Sequence, residues 1–173
     1  EVEASTPVGI PDVIAKFLAT RPQTLFAVQR AAIAWAQPLR GPSPNMRHLG
    51  LLICGTQLGK SCAAAMTITP GYVTVGRNRR YFIAESELIR HLMQTRDRDA
   101  SMSRYRNVQT LVVDHLGSSI THGAKGFREV VEFLRMRWEA GNRNVLTTRL
   151  SGRDELIKNY GLDAWATFER YCT

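Results

Sequence analysis

The chain has 173 residues, enough for one domain with a substantial core and too few for a large accessory domain beside it. Its 23 Lys and Arg against 15 Asp and Glu give a net charge of +8, which favours an anionic partner, nucleic acid being the usual one. The lack of a roughly 20-residue apolar run, a signal peptide, a CxxC pair or metal-ligand histidine spacing excludes a membrane span, a disulfide framework and structural zinc, and implies a cytoplasmic protein.

Glu1 is not a methionine, and the first seven residues are polar with one proline, which marks the sequence as an excised or processed piece. Residues 1–20, with VGIP at 8–11, form an N-terminal lead-in. A helix is predicted from about Pro22 to near Pro38. Proline suits a first helical turn, and Leu25, Val28, Ala32 and Trp35 recur at three- and four-residue steps to give one apolar face, with Arg30 on the solvated side. The turn-rich GPSPNMRH at 41–48 completes a helix-and-linker segment, 21–48, ahead of a core at 49–173.

Residues 49–66, LGLLICGTQLGKSCAAAM, read as a buried strand, a tight loop and the start of a helix over 61–67. A phosphate-binding loop is built in this way: Gly, four residues, then Gly-Lys-Ser/Thr, of which Gly59, Lys60 and Ser61 fill the second half. Cys54 stands where the first Gly is expected, with Gly55 one residue late. In such a loop backbone N–H groups face an anion, the lysine adds a point charge and the serine hydroxyl can ligate Mg2+. Gly55, Thr56, Gln57, Leu58, Gly59, Lys60, Ser61 and Cys62 are therefore the candidate cradle. The alternative is an ordinary strand-turn-helix with no ligand. Alanines 63 to 65 let the helix approach the sheet closely, and Pro70-Gly71 ends it.

A basic stretch at 77–80 leads into a strand at 81–84, YFIA, and Ser86 is read as the cap of a helix with Leu88, Ile89, Leu92 and Met93 inward. TRDRDASMSRYRN at 95–107 mixes charges without periodicity and reads as a mobile surface loop. Its arginines 96, 98, 104 and 106, with 77–80, either track a nucleic-acid backbone while Tyr81 or Tyr105 stacks on bases, or are simply solvated. Residues 111–113 form a buried strand ending in Asp114, a carboxylate that either holds a metal beside the loop or caps a turn. The clearest helix spans 126–140, with Phe127, Val130, Val131, Leu134 and Trp138 on one stripe and Gly141 at its end. Arg128 with Glu132, and Arg135 with Glu139, are its exposed i,i+4 pairs. A strand follows at 144–148, NVLTT. Ser151 with Asp154 resembles a capping box for a helix closed by Gly161, and Asp163 caps a last helix bearing Trp165, Phe168 and Arg170. Alternating strands and helices imply crossovers and a largely parallel sheet, with ligands at the C-terminal strand ends, where Cys54, Asp114 and Thr148 fall.

Taken together, VGIP, LLICGTQLGKS, LVVDHLGSS and above all REVVEFLRMRWEAGNRNVLTTRLSGRDEL resemble the DnaC-type helicase-loader and IstB-type transposition-helper ATPases of the AAA+ superfamily, over most of the chain. The resemblance implies one α/β P-loop domain, a three-layer sandwich with a largely parallel sheet, without the last strand and the lid subdomain. It also implies ATP and Mg2+ as cofactors, and as partners single-stranded DNA, a replicative helicase or transposase, and further copies of the chain. By position, Lys60 and Ser61 match the family's phosphate and Mg2+ contacts and Asp114 its metal-holding aspartate. Thr148 and Arg149 match the polar sensor position. Arg170 matches the arginine finger that reaches a neighbouring subunit's γ-phosphate, an assignment that competes with a solvated helical arginine.

Three positions depart from the family pattern: Cys54 for the first Gly, His115 for the acidic residue that orients the attacking water, and Arg149 for the sensor Asn. Nucleotide binding is thus better supported than hydrolysis. His115, Arg149 and Arg170 stand as candidate catalytic residues beside a second reading, a non-hydrolysing pseudo-ATPase that serves as an assembly module. A small-molecule kinase is disfavoured for want of a lid-like arginine cluster. In the family a fifth strand follows the arginine-finger helix, so either the chain is cut at Thr173 or the sheet is one strand short.

Overall fold

The computed structural model describes residues 7–37, 49–56, 59–73, 79–93, 98–118 and 123–173, without the side chains of 98–101, 123 and 124. The linker at 41–48, Gln57, Leu58, Arg77, Arg96 and the side chain of Arg98 lie outside these residues.

The short β-branched and aliphatic runs pair into one sheet. Strands β1 (Gly50–Ile53), β2 (Arg80–Ala84), β3 (Thr110–Leu116) and β4 (Arg143–Thr148) are all parallel, in the order β1-β4-β3-β2. Side chains alternate across a strand, so Ile53, Phe82, Val112 and Val145 face one way and Ile83, Leu111, Val113 and Leu146 the other. Neither apolar face can be left to water, and each has its own helical cover.

On the first face lie α1 (Asp12–Ala19), α2 (Ala27–Ala36) and α3 (Lys60–Met66). Ala63, Ala64 and Ala65 are wholly buried, and their small size lets α3 lie close against the sheet, as expected. The second face carries α4 (Glu85–Met93), α5 (Arg98–Arg106), α6 (Gly123–Glu139), α7 (Arg153–Tyr160) and α8 (Leu162–Tyr171). Here the filling is aromatic: Trp138 stacks on Tyr171 with ring centroids 5.0 Å apart and meets Phe168 edge-on at 6.4 Å.

Both sheet edges are partly paired. Val8 forms a parallel bridge to Tyr81 outside β2, and Cys172 bridges Gly50 outside β1, where Thr173 also exchanges hydrogen bonds with Gly50 and Leu52. A Cβ on Gly50 would lie 2.6 Å from Cys172 Sγ and 2.8 Å from the Tyr171 carbonyl oxygen, so only glycine admits this approach. Cys172 and Thr173 thus enter the place expected of a fifth strand.

Several expectations are corrected. The lead-in contains a helix, α1, which buries Leu18, and the following helix begins at Ala27 rather than near Pro22 because the Phe26 N–H is taken by Gln29 Oε1 at 2.9 Å. The charged stretch read as a mobile loop forms α5 and buries Met102 and Tyr105. Tyr105 is therefore no base-stacking platform, and Tyr81 packs edge-on against it at 4.9 Å. Arg80 belongs to the sheet, not to a phosphate-tracking patch: it is buried and donates to the Ile68 carbonyl at 2.6 Å. Ser86 is no cap, since α4 starts at Glu85 directly after β2. Gly152, not Ser151, precedes α7, and the Ser151 N–H donates to Glu155. Asp163 sits inside the first turn of α8, which Gly161 opens. On α6, Glu132 pairs with Arg135, three residues on.

Candidate functional site

The parallel sheet brings the C-terminal ends of β1, β3 and β4 side by side. After β1 the chain turns through Cys54, Gly55 and Thr56, and the Gly55 N–H donates to the Leu150 carbonyl at 2.8 Å, which ties this loop to the segment beyond β4. Gly59, at φ 86°, precedes α3 in a left-handed conformation that other residues rarely adopt, and the Phe26 ring lies 3.3 Å from where its Cβ would be. Burial pushes the Cys54 thiol pKa up, against the opposing charge of Lys60, so this cysteine is a packed thiol rather than a reactive one.

Asp114, 4% exposed, lies at the centre. Its Oδ1 accepts hydrogen bonds from Ser61 Oγ at 2.8 Å and Thr147 Oγ1 at 2.5 Å, and its Oδ2 lies 3.0 Å from His115 Nδ1. Thr147 Oγ1 in turn accepts from the His115 N–H at 3.0 Å. The register of β3 against β4 shifts between Val113 and Leu116, and within this bulge His115 adopts φ 60°, which turns its half-exposed ring beside the carboxylate. The exit from β3 is fixed by Glu85, whose two carboxylate oxygens accept from the N–H groups of Gly117 and Ser118 at 2.8 and 3.1 Å. Thr148 Oγ1 donates to the Leu116 carbonyl at 2.8 Å and accepts from the Leu150 N–H at 3.2 Å, which holds the backbone on either side of Arg149.

Above Asp114 opens a cavity of about 460 Å³. It gathers Thr56, Gly59, Lys60, Ser61 and Cys62 of the expected cradle with His115, Thr148 and Arg149, and adds Thr147. Partial burial and the nearby charge of Arg149 both pull the Lys60 pKa down, whereas burial and the charge of Asp114 push the Cys62 thiol up. Gly55 lies in the loop but does not line the cavity, and Gln57 and Leu58 fall outside the described residues. Arg170 stands apart on the exposed side of α8, its guanidinium 5.3 Å over the Tyr171 ring.

Thr147 was hidden from sequence reasoning although its neighbours Thr148 and Arg149 were not. The β3/β4 register places Val112 beside Val145, and two residues further along that face come Asp114 and Thr147. The strand period therefore carried the signal, but only once the pairing was known. For a divalent cation, the Ser61 hydroxyl, which lines the cavity, and the Asp114 carboxylate behind it are hard oxygen donors already 2.8 Å apart, a donor set that suits Mg2+, which binds through one or two protein oxygens and keeps several waters. Among the described residues no cluster of three or more His, Cys, Asp or Glu could hold a metal, and no helix is long and apolar enough to cross a membrane.

No protein-family model matches the chain, and no curated protein matches it in sequence. Among solved structures it is similar to a DnaC helicase loader, with a TM-score of 0.66 and 17% identity over 94% of this chain and 97% of the other. It is also similar to DnaI, with a TM-score of 0.64 and 18% identity over 97% of this chain and 93% of the other. At such identities the likeness is one of fold: the chain shares the α/β architecture of these two structures, with its parallel four-stranded sheet covered by helices on both faces.

Proposed function

We propose that this single domain binds ATP with Mg2+ in the cavity above Asp114 and acts as a helicase-loader module, with a replicative helicase as partner and single-stranded DNA as ligand. The observation that carries the reading is the hydrogen bond of Ser61 to Asp114 beneath a cavity flanked by Lys60 and Arg149 at the C-terminal strand ends. Lys60 serves as the phosphate cation, and Ser61 and Asp114 are the residues that would hold the metal. When bound, Mg2+ supplies positive charge between the phosphates. The net charge of +8, with Arg79 and Arg106 exposed, suits a nucleic-acid backbone, and the DnaC-like fold suggests the helicase partner.

A second reading, binding without turnover, is favoured by His115. Its Nδ1 is engaged with Asp114, and the imidazole offers no carboxylate to orient an attacking water. Arg170 as a finger toward a neighbouring copy, and a transposase in place of the helicase, belong to the same proposal as alternatives.

Calorimetric titration with a non-hydrolysable ATP analogue tests the binding claim. Lys60→Ala is expected to weaken binding by roughly ten- to a hundredfold, as loss of a charge-assisted phosphate contact requires. Equal binding by the two proteins, or none by the wild type, would sink it. Steady-state ATPase activity above the Lys60→Ala background, with single-stranded DNA present, would rule out the non-hydrolysing reading.

A further inference from the structure

The charges around the cavity do not balance. Lys60 and Arg149 both face it, and among the described residues neither has a carboxylate within ion-pair distance and no acidic side chain lines the cavity. Asp114 lies beneath, held by Ser61, Thr147 and His115, and its charge favours that of Lys60, but it is one carboxylate against two cations and does not line the cavity. The backbone on either side of Arg149 is pinned by Thr148 to β3 and by Leu150 to Gly55, so the cation is presented at the cavity from a fixed base. Two like charges held at one cavity repel, at a cost in free energy. A polyanion removes it, and a guanidinium's planar fork matches phosphate oxygens.

We propose that Arg149 takes over part of the neutralisation a divalent cation would provide, so that this site holds a nucleoside triphosphate with only weak dependence on Mg2+. The proposal rests on the nucleotide reading above and concerns only how the phosphates are balanced. Its sequence counterpart is the replacement of a neutral sensor residue by Arg149, next to the replacement of an acidic residue by His115. Both changes make the cavity more positive.

The test is titration of the full chain with the β,γ-imido analogue of ATP, once in excess Mg2+ and once in EDTA. Wild type is expected to lose no more than about threefold in affinity on chelation, and Arg149→Gln about thirtyfold, since the variant must lean on the metal for the missing charge. Arg153→Gln removes one exposed charge on α7 and is expected to behave as wild type. Arg149→Met, of similar reach without the charge, repeats the measurement with a second side chain should the glutamine variant melt early. Equal chelation losses in wild type and in the Arg149 variants overturn the inference while leaving the nucleotide site standing. A wild type that binds the analogue under neither condition removes the nucleotide reading, and this inference with it.

Discussion

The two ends of the sheet both gather cations, and they treat them in opposite ways. At the N-terminal strand ends, Arg137 is 1% exposed and among the described residues meets no carboxylate; its guanidinium donates to the carbonyls of Tyr105, Arg106, Val108 and Arg143 and to Asn144 Oδ1. Arg143 donates to the carbonyls of Trp35 and Ala36, with its guanidinium 3.9 Å over the Trp35 ring. At the C-terminal ends, Lys60 and Arg149 face an open cavity and, among the described residues, have no such partners. Saturation by carbonyls identifies a structural cation, whereas an unsaturated cation at a cavity is available to a ligand.

The sharpest way to break this contrast is to remove Arg137. Burial pulls its pKa down to about 9, while the carbonyls it serves favour the charged form. Arg137→Met keeps much of the volume and strands several buried acceptors, where α5, β4 and the approach to β3 converge. A loss of about 3–5 kcal/mol in urea unfolding is expected. A loss below about 1 kcal/mol would mean that water replaces the guanidinium and that the N-terminal end is not built on it.

Arg137 also shows where the sequence is readable and where it is not. The strands, α3 and α6 were legible because their apolar residues repeat with the period of the element: Phe127, Val130, Leu134 and Trp138 announce a buried stripe, and they form one. Helix α5 was not, because it offers only Met102 and Tyr105 among charges, and what holds its end is Arg137, a residue far along the chain. The cap expected at Ser86 failed for a similar reason: Glu85 is recruited by N–H groups beyond β3. Of the candidate site, Lys60, Ser61 and Asp114 were legible from local motifs. Thr147 needed the strand register, which no single segment encodes.

Thr147 gives the next largest effect. Thr147→Val keeps the β-branched shape but removes the donor to Asp114 and the acceptor for the His115 N–H. A stability loss of about 1–3 kcal/mol is expected, with most of it restored in Thr147→Ser, which keeps the hydroxyl. If Thr147 positions Asp114 for the metal, binding of the ATP analogue in Mg2+ falls by up to about threefold, to the level of binding in EDTA, which is unchanged. A parallel fall in both would reduce Thr147 to a packing residue.

The smallest effect belongs to Arg135, and it separates pairing from burial. On the outer side of α6 its guanidinium reaches Glu132 at 2.5 Å and Glu139 at 2.7 Å, with all three side chains well exposed. By count of ion pairs this is the best-partnered cation described here, and its pKa is raised by the Glu132 hydrogen bond and by both charges. Water solvates each of these groups nearly as well once the pair is broken, and salt screens what attraction is left. Arg135→Ala is therefore expected to leave the urea midpoint within experimental scatter, in low and in moderate salt alike. A midpoint shift approaching that of Arg137→Met would show that close charge pairing, not withdrawal from water, decides which cations hold this fold together.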